Sequence, residues 1–200
     1  IIRRHRRIRD VISIGDMRFI IESSEIIHHN LRKGFITLVS STPIVVRIPR
    51  KKYRTLSITP SQDYDYLYWR VNYPLDIFVE QLEKNLFKKY REYTGLDIED
   101  EIVNTLDYEH ADRNAKEIRY IRRKTLEYRC AGHIISGLRF IKQVAKEVSI
   151  HEERCTIIGT LWEFWVNAYD DNMIKLLRFA LDSGFGERNS LGFGFMNLKV

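Results

Sequence analysis

Apolar positions recur along this chain with two different periods, and the change from one to the other marks out the elements. Between Pro74 and Tyr93 the residues Leu75, Phe78/Val79, Leu82, Leu86 and Tyr90 repeat at helical spacing, which predicts one apolar helix face. Pro74 suits the first turn, where a missing N–H costs nothing, and Gly95 supplies a left-handed stop. Glu80 and Lys84 add an i,i+4 pair. A second helix is predicted from about Asp171 to Ser183, with Asp170 or Asp171 as cap and Met173, Leu176/Leu177 and Ala180/Leu181 facing inward. Period-two stretches predict strands over Phe35–Ile48, bent at Thr42-Pro43 because proline cannot donate to a ladder, and near 117–130, 138–149 and 155–167. A last strand is predicted over Leu191–Val200, and residues 96–116 read as a polar, acidic surface connection. Upstream, Ile1, Ile8 and Val11/Ile12 share a face of a basic helix over 1–14; Gly15-Asp16 ends it, and Met17–His28 reads as a strand.

From residue 34 onward the order is strand, helix, strands, helix, strand. That is the βαββαβ of a ferredoxin-like (RRM-like) unit with an extra strand. The expected fold class is therefore α+β, with tandem ferredoxin-like units of which the first is only partly present. Residues 1–33 form the closing part of an N-terminal unit, and residues 34–200 a C-terminal unit. A helix and one strand cannot bury an apolar face alone. Since the chain opens at Ile1 with no Met, the missing half is expected upstream.

Composition narrows the class. Two hundred residues at 44% hydrophobic exclude disorder. No apolar run approaches the roughly 20 residues of a membrane-spanning helix, so no membrane partner is expected. Thirty-three Lys+Arg against 27 Asp+Glu leave +6, a mild tilt toward a polyanionic partner. Two cysteines, Cys130 and Cys155, fit a reducing interior, and IIRRHRRIRD has no apolar signal core, so a cytoplasmic protein is expected.

Four of the ten glycines fall within residues 184–194, at Gly184, Gly186, Gly192 and Gly194. Glycine permits positive φ and lets a backbone approach a partner without a Cβ in the way. A loop dense in it can present N–H groups to phosphate oxygens. Arg188 adds a forked cation, and Asn189 and Ser190 add neutral donors. Neither known phosphate loop fits: position 189 is Asn where a Rossmann loop wants Gly, the helix precedes the loop, and Gly-Lys-Ser/Thr is absent. A helix stop at Gly184 explains that glycine and Gly186. Gly192 and Gly194, read as one face of a strand, point to close approach of another backbone, protein or nucleic acid.

The segment GFGERNSLGFGFM after the last helix resembles the C-terminal glycine-rich signature of the RAMP superfamily of CRISPR-associated proteins. Together with MRFIIESSEII, LVSSTPIVVRIPR, YWRVNYPLDIFVEQLEKNLFKKY and GTLWEFWV, the chain is similar to the Cas-six endoribonucleases from about residue 15 to residue 200. The resemblance implies two ferredoxin-like units across a basic groove. It also implies metal-independent, cofactor-free cleavage of CRISPR repeat RNA by 2′-hydroxyl attack, giving a 2′,3′-cyclic phosphate and a 5′-hydroxyl. The family's catalytic His, often with Tyr and Lys, belongs to the N-terminal unit and is expected upstream of Ile1, so no catalytic residue is assigned here. The implied partner is repeat RNA, with a homodimer or a CRISPR effector complex as further assemblies. The alternative is a RAMP-family protein that holds crRNA without cutting it.

The RNA-binding residues expected are Gly184, Gly186, Arg188, Asn189, Ser190, Gly192 and Gly194, with the basic cluster Arg47, Arg50, Lys51 and Lys52. Arg122, Arg123 and Lys124, and the interleaved Arg119-Tyr120 and Tyr128-Arg129, suit stacking on unpaired bases, but also suit guarded strand edges. Trp162, Phe164 and Trp165 read as core. His5, His28, His29 and His110 read as surface residues. Cys130, His133, His151 and Cys155 carry zinc-ligand residue types, but they fall in strand-patterned segments and no metal is expected.

Overall fold

The computed structural model describes residues 11–14, 17–20, 30–53, 65–102, 117–122, 124–150 and 153–199. The chain divides into two compact units, Ile1–Asn30 and Leu31–Val200. In the first, β1 (Val11–Ile14) pairs antiparallel with β2 (Met17–Ile20), from Val11 opposite Ile20 to Ile14 opposite Met17. This corrects the helix expected over 1–14, since Val11 and Ile12 lie in a strand. The β-branched run Val11, Ile12, Ile14 favours extended backbone, and two residues between the paired Ile14 and Met17 are the length of a tight hairpin. The rest of that helix and the end of the Met17–His28 strand lie outside the described residues.

The second unit runs through β3 (Gly34–Ser40), β4 (Arg47–Pro49), β5 (Tyr66–Tyr68), α1 (Leu75–Thr94), β6 (Glu117–Arg122), β7 (Glu127–Ala131), β8 (Ile135–Ile150), β9 (Glu153–Ala168), α2 (Asp171–Ser183) and β10 (Met196–Leu198). Its main sheet has the order β10-β3-β9-β8-β7-β6, every neighbour antiparallel. The first four of these strands, taken in chain order, stand as fourth, first, third, second. That is the ferredoxin-like arrangement, and the β6–β7 hairpin extends it at one edge. The two-stranded ribbon β4–β5 stands apart from this sheet.

Both helices form for the reasons the pattern gives. In α1 the residues Phe78, Leu82, Leu86 and Tyr90 are buried, and Gly95 ends the helix at φ 73° with its N–H on Arg91 O. In α2 the Asp170 carboxylate accepts the Met173 N–H at 2.7 Å. Aromatic rings tie α1 to the sheet: Phe78 stacks on Trp162 at 4.8 Å and tilts against Trp69 at the same centroid distance. Trp162 and Phe164 are core; Trp165 is half-buried on the opposite sheet face, its ring filling the space above Gly137.

Two strand expectations change. The segment near 117–130 is a hairpin, not one strand, and it turns without glycine by placing Leu126 at φ 48°. The last strand shrinks to Met196–Leu198, because Gly192 and Gly194 sit at φ 82° and 76°, which no strand accommodates. Among the described residues no helix is long and apolar enough to cross a membrane.

A clasp holds the turn after β4 to α1: Lys52 donates to Glu80 at 2.6 Å, and Lys84 donates to the same carboxylate at 2.8 Å. These two lysines hold the Glu80 carboxyl down at about 2, below its usual 4.5. A depressed carboxyl adds stability that is complete above its unfolded value and is lost as pH falls through the folded one. The stability difference between wild type and Glu80→Gln, read by thermal unfolding, should therefore shrink from pH 4.5 downward and vanish below pH 2.

Candidate nucleic-acid interface

The glycine-rich segment follows α2 and leads into β10, and three of its four glycines are dictated by the protein's own atoms, two of them by main-chain carbonyls. A Cβ on Gly194 would stand 2.0 Å from Phe185 O, one on Gly186 2.5 Å from Val45 O, and one on Gly184 2.6 Å from Asn189 Nδ2. The segment's amides are spent in the same way. Phe185 N–H donates to Gly194 O, Glu187 N–H to Val45 O and Gly194 N–H to Pro43 O, all within 2.8–2.9 Å. The approaching backbone inferred from the sequence is therefore that of residues 43–45 and of the loop itself. Gly192 is different: it is exposed, and nothing lies within 4 Å of its Cβ position.

Asn189 is also corrected. Its side-chain Nδ2 donates to Phe185 O at 3.1 Å and to Phe193 O at 2.9 Å, so the amide brackets the loop from inside and has no donor left for phosphate. Behind it stands a residue the sequence reading missed. Lys89 of α1 donates to Gly184 O, to Gly186 O at 3.2 Å and to Asn189 Oδ1 at 3.1 Å. Burial lowers the Lys89 ammonium to about 8, with the Glu187 charge opposing, so it is cationic at pH 7. The available signal was its register: Lys89 falls one turn past Leu86 and seven residues past Leu82, on the side of the helix that is otherwise apolar.

What the loop turns outward is the arc from Glu187 to Gly192. Arg188 adopts φ 62° and ψ 29°, left-handed for a non-glycine residue. Its Nη2 donates to the Tyr66 hydroxyl at 3.4 Å, and its Nε is buried without a hydrogen-bond partner. Arg47 lies over the Tyr66 ring at 4.8 Å. Its Nε is ion-paired with Glu187, and its backbone N–H donates to the same carboxylate at 3.2 Å. Tyr66 and Tyr68 meet edge to face at 5.5 Å. The hydrogen bond from Tyr68, then Arg188 and Arg47, lowers the Tyr66 phenol, while burial and Tyr66 push Tyr68 up to about 12. Tyr68 stays neutral at pH 7, and the two rings present aromatic surface with hydroxyl groups. Cys155, Phe193 and Ile157 pack beneath Tyr68.

The remaining expected residues divide. Ser190, Arg50 and Lys51 are exposed, whereas Arg47 and Lys52 are engaged by Glu187 and Glu80. Among the described residues the zinc-type side chains do not come together. His133 Nδ1 lies 2.9 Å from Glu83 Oε2 in a buried pair, and Cys155, opposite Val148, lies about 40 Å along the hairpin from Ile135, at about 3.3 Å per residue. Burial, with Glu83 adding, raises the Cys130 thiol to about 12. His5, His28, His29, His110 and His151 lie outside the described residues.

An antiparallel ferredoxin-like sheet followed by a glycine loop with an arginine beside tyrosines places the unit in the class of α+β ferredoxin-like domains. The chain belongs to the Cas6 family: the family model "CRISPR associated protein Cas6, C-terminal" matches residues 22–198. No curated protein matches the chain. Among solved structures it is similar to that of a Cas6-related gene from Pyrococcus furiosus, at 16% identity and a TM-score of 0.53, covering 94% of this chain and 58% of that one. It is also similar to a CRISPR associated protein Cas6, at 18% identity and a TM-score of 0.50, covering 95% of this chain and 58% of that one. A third is described as an RAMP protein binding different RNA substrates, at 18% identity and a TM-score of 0.50, covering 95% and 59%. The chain thus spans under three-fifths of the length of the structures it matches.

The loop geometry orders a set of variants. Gly194→Ala should cost most, since its Cβ meets a carbonyl oxygen at 2.0 Å. Gly192→Ala should cost only the left-handed penalty of about 1–2 kcal/mol. Lys89→Met removes the donor from two main-chain carbonyls and Asn189 Oδ1, and should cost about 2–4 kcal/mol. Urea midpoints read all three, and equal losses at Gly192 and Gly194 would refute the close-approach account.

Proposed function

We propose that this chain carries the C-terminal RNA-holding unit of a CRISPR repeat-RNA processing endoribonuclease. The observation that carries the reading is Arg188. Its guanidinium is half-buried on the outer arc of the loop, beside Tyr66, held by one long bond and with a buried Nε that has no partner. A phosphate oxygen gains most from a cation that the protein has left under-satisfied, and forked donors suit it. The expected set shrinks to Arg188, Ser190 and Gly192 on the loop, with Arg50 and Lys51 beside β4; Arg47 orients Tyr66 and steadies Glu187. Gly184, Gly186 and Asn189 shape the arc that presents these groups.

The reaction proposed needs no metal. The O2′ oxygen attacks the adjacent phosphorus, the P–O5′ bond breaks, the O2′ proton passes to a base, and the departing O5′ takes a proton from an acid. The products are a 2′,3′-cyclic phosphate and a 5′-hydroxyl. This unit's part is to fix the strand; the base and acid are proposed to come from residues upstream of Ile1. Family membership and the likeness to an RNA-binding RAMP structure support this reading. The alternative is a protein that holds crRNA without cutting it, a reading that the likeness to an RAMP protein described as binding different RNA substrates supports equally.

Incubating the protein with end-labelled repeat RNA in EDTA separates the two. A single cut ending in a cyclic phosphate supports the nuclease, and retention without a cut supports the holding protein. In either case Arg188→Ala, which keeps the same Cβ at the same φ, should weaken retention at low salt by about 1–3 kcal/mol. Unchanged retention would remove Arg188 from the interface.

A further inference from the structure

The helices pack on one face of the main sheet and leave the other open. Trp162, Phe164 and Val166 of β9, with Ile36 and Leu38 of β3, are buried in the core, so by strand alternation Phe35 and Trp165 stand on the opposite face. β3 and β9 are the two middle strands of the ferredoxin-like four. Phe35 pairs with Asn167 and Thr37 with Trp165, which makes the two aromatic side chains diagonal neighbours about 7–8 Å apart. Phe35 is 67% exposed. Trp165 is half-buried by the sheet itself: its Cε3 lies 2.6 Å from the place a Cβ would take on Gly137, so the indole is folded down over β8 and turns its outer side to solvent. Beyond Gly137 the same row of the sheet continues through Arg129 to Arg119. Both arginines are exposed, and like charges directly opposite each other on a sheet are destabilising. The sequence interleaves them with Tyr120 and Tyr128, and the pleat sends those tyrosines to the helix side and the arginines to the open face.

We infer that the open face of the main sheet binds an unpaired RNA segment, its bases on Phe35 and Trp165 and its phosphates on Arg129 and Arg119. The inference rests on the RNA-holding reading above and adds to it a second contact surface, on the sheet and not on the loop. Every base has a π face, so two neighbouring rings on adjacent strands serve successive bases of one strand whatever their sequence. A duplex keeps its base faces stacked on one another, which restricts the rings to an unpaired segment. The charge of the face agrees. Its carboxylates are answered within the protein, Glu163 by Lys199 at 2.8 Å and by Arg139, and Glu127 by Arg122 at 3.8 Å. The residues named are therefore net positive together, and an anion laid across Arg129 and Arg119 relieves their mutual repulsion. Two separate rings set beside arginines are a poor seat for an apolar protein surface. They suit a strand that alternates flat bases with anionic phosphates.

Fluorescence anisotropy of a labelled oligouridylate tests this on the full chain. The single strand should bind saturably, and annealing it to oligoadenylate should weaken binding several-fold. Phe35→Ala should lose about five-fold or more in affinity, with its melting temperature near wild type because the ring is mostly exposed, and Phe35→Tyr should keep the affinity. Arg129→Ala should lower the slope of binding against salt by about 0.7, one phosphate contact on a single strand. Trp69 and Trp162 are 3% and 1% exposed, so quenching of tryptophan emission by the strand reports Trp165 and should vanish in Trp165→Phe. Binding that is unchanged in both Phe35→Ala and Arg129→Ala overturns the open-face site. So does a Phe35→Ala variant that melts lower and binds as before, the mark of a face covered by another part of the protein. If repeat RNA is still retained through Arg188 in either case, the RNA-holding reading stands without this surface. If neither repeat RNA nor oligouridylate is retained, both fall.

Discussion

The seating of residues 184–194 onto residues 43–45 is the contact on which the rest of this unit depends. It joins the end of α2 to the bend after β3 and delivers the chain to β10, the edge strand beside β3. The seat is too close for side chains. Val45 O lies 2.5 Å from the Cβ position of Gly186, and within the loop Phe185 O lies 2.0 Å from that of Gly194, so any other residue at either place would force backbone apart. Close main-chain contact leaves carbonyls turned inward, and each would be costly without a donor. Lys89 answers that need. One ammonium from α1 serves Gly184 O, Gly186 O and the Asn189 amide oxygen, so helix, loop and edge strand are fixed by one group.

That arrangement changes how the positive charge should be counted. The sequence carries six more cations than anions, yet several act inside the protein. Lys89 is a loop anchor, Lys52 and Lys84 hold Glu80, and Arg47 is paired with Glu187. Arg139 and Lys199 converge on Glu163. A basic isoelectric point therefore overstates the field offered to a polyanion, and Arg188 matters because its engagement is the weakest of these. Short-range pairing, more than net charge, decides which cations stay available at the surface.

Much of the fold was legible because helix period and stop signals are local. Phe78, Leu82, Leu86 and Tyr90 mark α1, Gly95 ends it, and Asp170 caps α2. The 117–130 hairpin was not legible as such: its turn contains neither Gly nor Pro, and Leu126 carries the positive φ that such a turn usually assigns to glycine. Val11 and Ile12 satisfied a helical stripe on paper, but pairing with Phe19 and Ile20 decided for strand. The sequence singled out the glycine loop and Arg188, but the partner of the glycines is three-dimensional. Nothing local couples Gly186 to Val45, Asn189 to Lys89, or Tyr66 to Arg188 across 122 positions.

The same geometry explains why a glycine motif can identify a family without itself being a ligand cradle. Gly184, Gly186 and Gly194 are fixed by internal distances that belong to the fold, so the pattern reports how the sheet is closed. The exposed arc is where chemistry has room to differ. Arg188 enters that arc in a left-handed conformation that costs a non-glycine residue about 1–2 kcal/mol. Glycine would remove that cost, so a side chain kept there is retained for what it reaches. It reaches Tyr66, itself held by the Arg47–Glu187 pair. The loop is tight where backbone meets backbone and strained at Arg188, where the chain turns left-handed to bring the guanidinium to Tyr66.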